Sequence, residues 1–386
     1  MKFSTKQIHA GREKNVSPYG DVNIPIHQST SFVHDSVDQY LEKGFSYSRT
    51  SNPTIELLED RLSQLEEGSG ALCFSTGMAA IHSVFDGILK TGDHVIISDV
   101  VYGGTYRISK AIFAKYDIEF SFINTSKPEE IKKAIRPNTK IIFTETPANP
   151  TLKICDLKLI SEISKNYQIL HVVDNTFMTP YLQNPLSLGA DIVIHSTTKF
   201  FDGHNMTTGG CAVFSDKETF ERIKFIRNTS GNIMSPFIAF LTLQGLKTLS
   251  LRLERQCLNA HLIAEYLNKH KVIERVFYPG LEDFPGHQIS CNQSRDHGSL
   301  LAFIVKGDLN TGKKFADNLK LCLLAENLGS VETLVTHPAS MTHGYLTQDE
   351  RQSIGITDSL IRMSVGIEDS EDLLNDIEQS LALLHG

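Results

Sequence analysis

Ala190-Asp191-Ile192-Val193-Ile194-His195-Ser196-Thr197-Thr198-Lys199 is the stretch that decides the fold. Ala190 to Ile194 reads as a buried strand, and hydroxyl residues and one lysine follow at once. Twenty-five residues before Lys199 lies Asp174, closing the apolar run Leu170-His171-Val172-Val173. If both runs are parallel strands of one sheet, Asp174 and Lys199 emerge at its carboxyl edge, where open α/β sheets bind ligands.

Working outward, strand and helix patterns alternate to about residue 215. Candidate strands are Ala71–Phe74, His94–Ser98, Glu119–Ile123, Lys140–Glu145, Leu170–Asp174, Asp191–His195 and Gly210–Phe214. This alternation predicts a parallel sheet with crossover helices. Residues 1–50 have little periodicity and read as an extended arm. A helix then starts at Asn52-Pro53 and carries Ile55, Leu57, Leu58, Leu62 and Leu65 on one side. From Ser235 to about Lys271 a long helical pattern leads into a second, α+β region. The division expected is 1–50 arm, 51–245 main domain and 246–386 C-terminal domain.

Composition narrows the function classes. A net charge of −8 argues against nucleic acid as the main partner. No apolar run approaches the length of a membrane span, and no apolar stretch follows Met1–Lys6 as a secretory signal requires, so a cytoplasmic protein is expected. The six cysteines include no CxxC pair, which argues against a disulfide framework or a zinc site. His337 and His343 lack metal-ligand spacing on a helix, so no metal is expected there either. Gly307-Asp308-Leu309-Asn310-Thr311-Gly312-Lys313-Lys314 nearly matches a P-loop, but Lys314 replaces the magnesium-binding hydroxyl and nucleotide binding is not expected.

Four further segments carry chemistry, each with a plainer alternative. Ser75-Thr76-Gly77-Met78 is a strand-to-helix turn whose free N–H groups at Gly77 and Met78 suit a phosphate; many such turns bind nothing. Ser196 and Thr198 could complete the cup, or serve only the turn. Tyr102-Gly103-Gly104 offers a ring to stack on a planar group, or a core tyrosine in a glycine turn. Arg49 suits a phosphate, and Arg362, inside the apolar run Leu360–Val365, suits a carboxylate; a solvated loop charge and a structural ion pair are the alternatives. A lysine and an aspartate facing one pocket is the pair that pyridoxal phosphate (PLP) needs: an amine to bond its carbonyl carbon and a carboxylate to keep its ring nitrogen protonated. Two ordinary strand-end charges remain the alternative.

Together these segments resemble the PLP-dependent enzymes of cysteine and methionine metabolism: the cystathionine lyases, cystathionine γ-synthase, methionine γ-lyase and the acylhomoserine sulfhydrylases. The likeness runs from Ile8 to Leu383 through Tyr47-Ser48-Arg49, Asn52-Pro53-Thr54, Ser75–Ala79, Tyr102–Thr105, Thr146–Pro150, Val173–Thr176, His195–Lys199 and His337–His343. It implies an α/β protein of fold type I (aspartate-aminotransferase-like), with a large parallel-type mixed sheet domain and a smaller α+β C-terminal domain. It implies that Lys199 bonds PLP, Asp174 holds the ring nitrogen and Tyr102 stacks on the ring. Gly77, Met78, Ser196 and Thr198 would hold the phosphate, joined by Tyr47 and Arg49 from a neighbouring subunit in a homotetramer built of active dimers. Asn149, Thr333 and Arg362 would bind substrate, with Arg107 and Glu332 as further contacts.

The activity implied is γ-elimination on cystathionine, methionine or homocysteine, with γ-replacement on an acylated homoserine as the alternative. A catalytically silent scaffold is a third reading, opposed by the intact lysine, aspartate and phosphate set. Gly104 with Arg107 is similar to the cystathionine γ-enzymes, whereas His337-Pro338-Ala339-Ser340 is similar to methionine γ-lyases and sulfhydrylases. Cystathionine-specific relatives tend to carry an acid before Tyr-Ser-Arg; here Ser46 stands there, so broad substrate use is expected.

Overall fold

A computed structural model describes residues 1–11, 19–40, 44–342, 344, 347–353 and 355–385. His343 and Gly386 lie outside the described residues. Seven strands form the main sheet: β1 Gly70–Phe74, β2 His94–Ser98, β3 Glu119–Ile123, β4 Thr139–Glu145, β5 Leu170–Asp174, β6 Ile192–Ser196 and β7 Gly210–Phe214. Their order is β1-β7-β6-β5-β4-β2-β3. Strand period sends successive side chains to opposite faces. Val95, Ile97, Ile141 and Phe143 therefore join Val84 and Phe85 in one apolar cluster. Ile96 and Ile142 join Ile160 and Ile163 in another. Covering of both faces explains why these strands read as continuous apolar runs rather than alternating ones.

The sheet is mixed, as the resemblance implied, and the strand that departs from the parallel pattern of the strand–helix alternation is β7. β7 pairs antiparallel with both β6 and β1. The β6–β7 connection, residues 197–209, contains no helix. A parallel return requires a crossover, usually helical; without one the chain doubles back. The other pairings, β3-β2-β4-β5-β6, are parallel as expected.

Five strands form a second sheet: β8 Ile273–Phe277, β9 Leu300–Val305, β10 Leu323–Leu324, β11 Leu334–Thr336 and β12 Leu360–Ser364, ordered β10-β11-β12-β9-β8. β12, the strand bearing Arg362, lies between β9 and β11 and is antiparallel to both.

Two helical expectations are corrected. The single long helix from Ser235 is two, Pro236–Leu246 and Leu249–Asn268. Near the break, the Gly245 carbonyl accepts from Arg252 Nη2 at 2.8 Å, so a side chain satisfies a group at the helix end. Gly245 also sits against the carbonyls of Phe201 and Asp202, where a Cβ would come within 2.4 Å of each, which pins this helix to the loop after Lys199. The arm, in turn, is not extended throughout, because Phe3–His9 is a helix. Gln7 Nε2 donates to Ser250 Oγ at 3.0 Å, Gln7 Oε1 accepts from Ser250 N at 3.1 Å, and Phe3 packs on Tyr181 with ring centroids 5.0 Å apart. Tertiary docking makes this short segment helical; its length alone would not.

Asn52 links arm to core. Its Oδ1 caps the helix Pro53–Leu65 by accepting from Thr54 N at 3.0 Å. Its Nδ2 donates to His27 O at 2.8 Å and to Ser48 Oγ at 2.9 Å, and the residue is fully buried. Asn52→Ala removes the cap and strands these partners, so the protein is expected to lose about 1–2 kcal/mol, read as a lower urea midpoint. An unchanged midpoint would show that the cap does not hold the arm.

Candidate active site

A cavity of about 430 Å³ opens at the carboxyl ends of β4, β5 and β6 and reaches across to β12. Of the residues singled out in the sequence, Gly77, Met78, Tyr102, Arg107, Asn149, Asp174, Ser196, Thr198, Lys199 and Arg362 line it. Register explains the grouping. β4 and β5 pair Glu145 with Asp174, and β5 and β6 pair Asp174 with Ile194, so the two carboxylates stand side by side and Lys199 follows from the next strand.

Each charged group is held by specific partners. Thr176 donates its N–H and its hydroxyl to Asp174 Oδ1 at 3.0 and 2.6 Å, and Thr176 Oγ1 accepts from Ser196 N at 2.9 Å. Glu145 accepts from Tyr102 N at 2.7 Å and Asn149 N at 3.1 Å, so it fixes the backbone of two lining residues. Burial, then repulsion from Asp174, pushes the Glu145 carboxyl up to about 8, and burial also raises Asp174. Lys199 Nζ donates to Asn327 Oδ1 at 2.5 Å. Burial first, and the Arg362 charge second, bring the lysine amine down to about 8, with Glu326 opposing. Arg362 donates from Nη1 to Asn149 Oδ1 at 3.1 Å and from Nη2 to Asn327 O at 3.0 Å. Its buried Nε has no hydrogen-bond partner among the described residues, an orphan donor suited to an anion.

The turn below Lys199 is built for a small anion. The helix Gly77–Ile88 starts at the cavity with Thr76 Oγ1 accepting from Ala79 N at 3.0 Å; the N–H groups of Gly77 and Met78 are ones a first helical turn leaves unpaired. β7 runs close beneath: a Cβ on Gly210 would lie 2.4 Å from Thr76 O and 2.6 Å from Gly77 N. Thr198 Oγ1 accepts from Gly209 N at 3.0 Å, tying the turn before Lys199 to the residue that leads into β7. Tyr102 is 45% exposed, and Gly104 leaves room for its ring, since a Cβ there would lie 2.4 Å from Tyr102 Cε1.

Four residues proposed from the sequence stand apart from this cavity. Tyr47 and Arg49 lie on the arm; the Arg49 guanidinium rests over the Tyr47 ring at 5.5 Å and donates to Asn228 O. Thr333 is fully buried, donating its N–H and hydroxyl to Glu368 at 2.6 and 2.9 Å and accepting from Gly366 N at 2.9 Å. Glu332 is likewise turned aside, accepting from Asn205 Nδ2 at 3.0 Å and from the Ser330 hydroxyl. The residue that meets Lys199 is Asn327, six positions earlier than Thr333. Glu145 and Asn327 were missed by sequence reasoning, and Thr176 was quoted there only as the end of Val173–Thr176, with no role of its own. A carboxylate closing the apolar run before Thr146 was the only signal, and it pointed to Glu145 alone. In the P-loop-like segment Asp308 Oδ1 accepts from Thr311 N at 2.9 Å and fills the helix start itself.

The residues fit PLP on three observations: a lysine amine lowered in a pocket, a paired carboxylate across from it, and a glycine-floored helix start. Comparison with known proteins agrees. The family model for the Cys/Met metabolism PLP-dependent enzymes matches residues 4–382, and the chain belongs to that family, with PLP as its cofactor and fold type I as its architecture. L-methionine gamma-lyase of Fusobacterium nucleatum subsp. polymorphum is 45% identical, the match covering 98% of each chain. Cystathionine gamma-lyase of Bacillus subtilis (strain 168) is also 45% identical, over 99% of each. The structure of cystathionine gamma synthase from Xanthomonas oryzae pv. oryzae, in complex with aminoacrylate and cysteine, superposes with a TM-score of 0.96 at 39% identity, covering 100% of this chain and 99% of that one.

Two outcomes follow from this geometry. Gly210→Ala must push the Thr76–Gly77 turn aside, so PLP retention on dilution is expected to weaken at least about tenfold, a loss of about 1.4 kcal/mol; unaltered retention would show that the turn does not hold the phosphate. Only the neutral Lys199 amine can bond the cofactor. A pKa near 8 makes capture of PLP by the apoprotein rise about tenfold per pH unit below 8 and level off above it. A rate still climbing at pH 10 would show an ordinary lysine.

Proposed function

We propose that this chain is a carbon–sulfur lyase that performs γ-elimination on sulfur amino acids such as cystathionine, methionine or homocysteine. The single observation that carries the reading is Lys199, its amine brought down to about 8, in one cavity with Asp174 and the orphan Nε of Arg362. The names of the relatives, methionine and cystathionine gamma-lyases, support the substrate class.

Bound here, PLP supplies an electron-withdrawing ring that stabilises negative charge at the substrate Cα. Lys199 Nζ would hold the cofactor and, once displaced by the substrate amine, take the Cα proton and return protons along the chain. Asp174, whose Oδ1 accepts from Thr176, would hold the ring nitrogen. Arg362 and Asn149 would orient the substrate carboxylate, Gly77, Met78, Ser196 and Thr198 would hold the phosphate, and Tyr102 would stack on the ring and assist the leaving γ-substituent. Lyases then release a 2-oxo acid and ammonia, whereas a synthase adds a thiol. The likeness to a cystathionine gamma synthase keeps γ-replacement on an acylated homoserine as the second reading.

Exposure of Tyr47 at 43%, away from the cavity of its own chain, supports donation of Tyr47 and Arg49 to a neighbouring subunit in a dimer, with two dimers forming a homotetramer. The strands of the main sheet fall within residues 70–214 and those of the second within 273–364, which supports the division 1–50, 51–245 and 246–386. Among the described residues no helix is long and apolar enough to cross a membrane. A cytoplasmic location accords with six free cysteines, five of them buried.

A substrate panel tests the reading. The wild-type protein is expected to release 2-oxo acid from methionine and homocysteine at rates comparable to cystathionine, because Ser46 provides no charge for the distal ammonium. Lys199→Ala should lower turnover at least about a thousandfold with its circular dichroism unchanged. Full activity in that variant would overturn the assignment, and condensation of acylhomoserine with cysteine as the sole activity would favour the second reading.

A further inference from the structure

His287, Cys291 and His297 converge on the surface of the second sheet's flank, with one ligand atom from each within 4.8 Å of the others. His287 and Cys291 are four residues apart on the helix His287–Gln293 and so share a face. His297 comes from the loop that leads into β9. We propose that these three side chains, none of which lines the catalytic cavity, form a binding site for a divalent metal ion of the zinc type.

The argument rests first on which atoms point inward. His287 Nδ1 lies 2.8 Å from Pro279 O. A carbonyl only accepts, so Nδ1 carries the hydrogen and the neutral ring presents the Nε2 lone pair. That Nε2 is 3.5 Å from Cys291 Sγ. His297 Nδ1 lies 2.9 Å from Ser290 Oγ, a hydroxyl that can accept from it, and its Nε2 is 4.0 Å from the same sulfur. A hydrogen-bond partner on the other nitrogen of each ligating histidine is the arrangement metal sites use.

Distances agree with the ion. Zinc–nitrogen bonds of roughly 2.0–2.1 Å and a zinc–sulfur bond of roughly 2.3 Å place tetrahedral N and S ligands roughly 3.5–3.6 Å apart. The two observed N–S separations, 3.5 and 4.0 Å, need a shift of under about half an ångström, and the two histidine nitrogens, within 4.8 Å of each other, must close to roughly 3.3–3.4 Å. The rings are already held. His287 and His297 stack with centroids 5.3 Å apart, and Gly280 leaves room for His297, since a Cβ there would lie 3.2 Å from His297 Cδ2. Cys291 is the exposed cysteine of the six, so an ion can reach it.

One thiolate and two neutral imidazoles select a borderline ion such as zinc or cobalt over magnesium or calcium. On binding, the Cys291 thiol gives up its proton to solvent and its sulfur pair forms the metal bond, leaving a net charge of +1 and a fourth position for water. The ion would clip the helix His287–Gln293 to the start of β9. Cysteine spacing could not reveal this set, because it has one cysteine and draws on two segments.

The test uses PLP-loaded enzyme, stripped with a chelator and kept reduced with a phosphine. Cobalt(II) is titrated into wild type, Cys291→Ser and His287→Ala. Wild type should show the intense red-region bands of four-coordinate cobalt, saturating at one ion per chain, with one proton released. Both variants should lose those bands and bind at least about a hundredfold more weakly, more than the loss of an outer-shell partner costs. Cofactor absorption and turnover report that the variants are folded. No saturable band in wild type, or the same band in Cys291→Ser, would overturn the site.

Discussion

The hydrogen-bond register of β4, β5 and β6 is the constraint on which the rest of the site depends. It sets Glu145 beside Asp174 and brings Lys199 out one strand over. Side-chain period in a strand is two, so a slip of one residue would turn both carboxylates into the apolar layers. The layers prevent that slip: Ile142 and Val173 pack on one side while Phe143 and Val172 pack on the other. Burial energy of ordinary aliphatic side chains thus fixes the position of groups that are themselves costly to bury.

That cost is met by reciprocal pairing. Burial raises both carboxylates at the adjacent strand ends, with repulsion from Asp174 adding to the rise of Glu145, and burial lowers both Lys199 and Arg362, with the Arg362 charge adding to the fall of Lys199. The backbone N–H groups of Tyr102 and Asn149 satisfy Glu145, the Thr176 hydroxyl satisfies Asp174, and Asn327 accepts from Lys199 through its side-chain oxygen and from Arg362 through its backbone carbonyl. Buried ionisable groups of both signs, each with its pKa moved toward neutrality, are a common property of sites that move protons. Arg362 comes from the second sheet, so the cavity exists only when the two sheets face each other, and Asn327 ties Lys199 of one to Arg362 of the other.

Close backbone approach supplies the remaining element. β7 turns back antiparallel and slides beneath the helix start at Gly77, and Gly210 is the residue type that allows it. The strand that breaks the parallel pattern is therefore the floor of the phosphate turn. The same loop continues to Phe201 and Asp202, against which Gly245 seats the helix Pro236–Leu246.

Much of this was legible in the chain itself. The seven strands of the main sheet were readable to within a residue, because burial on both faces gives uninterrupted apolar runs. Lys199, Asp174 and Arg362 stood out as charges at the ends or inside such runs. Local chemistry also marked the Asn52 cap and the turn at Gly77. Tertiary structure alone decided the direction of β7, the docking of Phe3–His9, and the break at Lys247–Thr248, since each depends on partners far away in sequence. It also decided that Asn327, and not Thr333, meets Lys199: both lie in one irregular segment, where no period assigns a side chain to a face. The His287, Cys291 and His297 cluster has the same cause. Sequence records residue types along one dimension, whereas ligand geometry is set by which loops the folded core brings within a few ångströms.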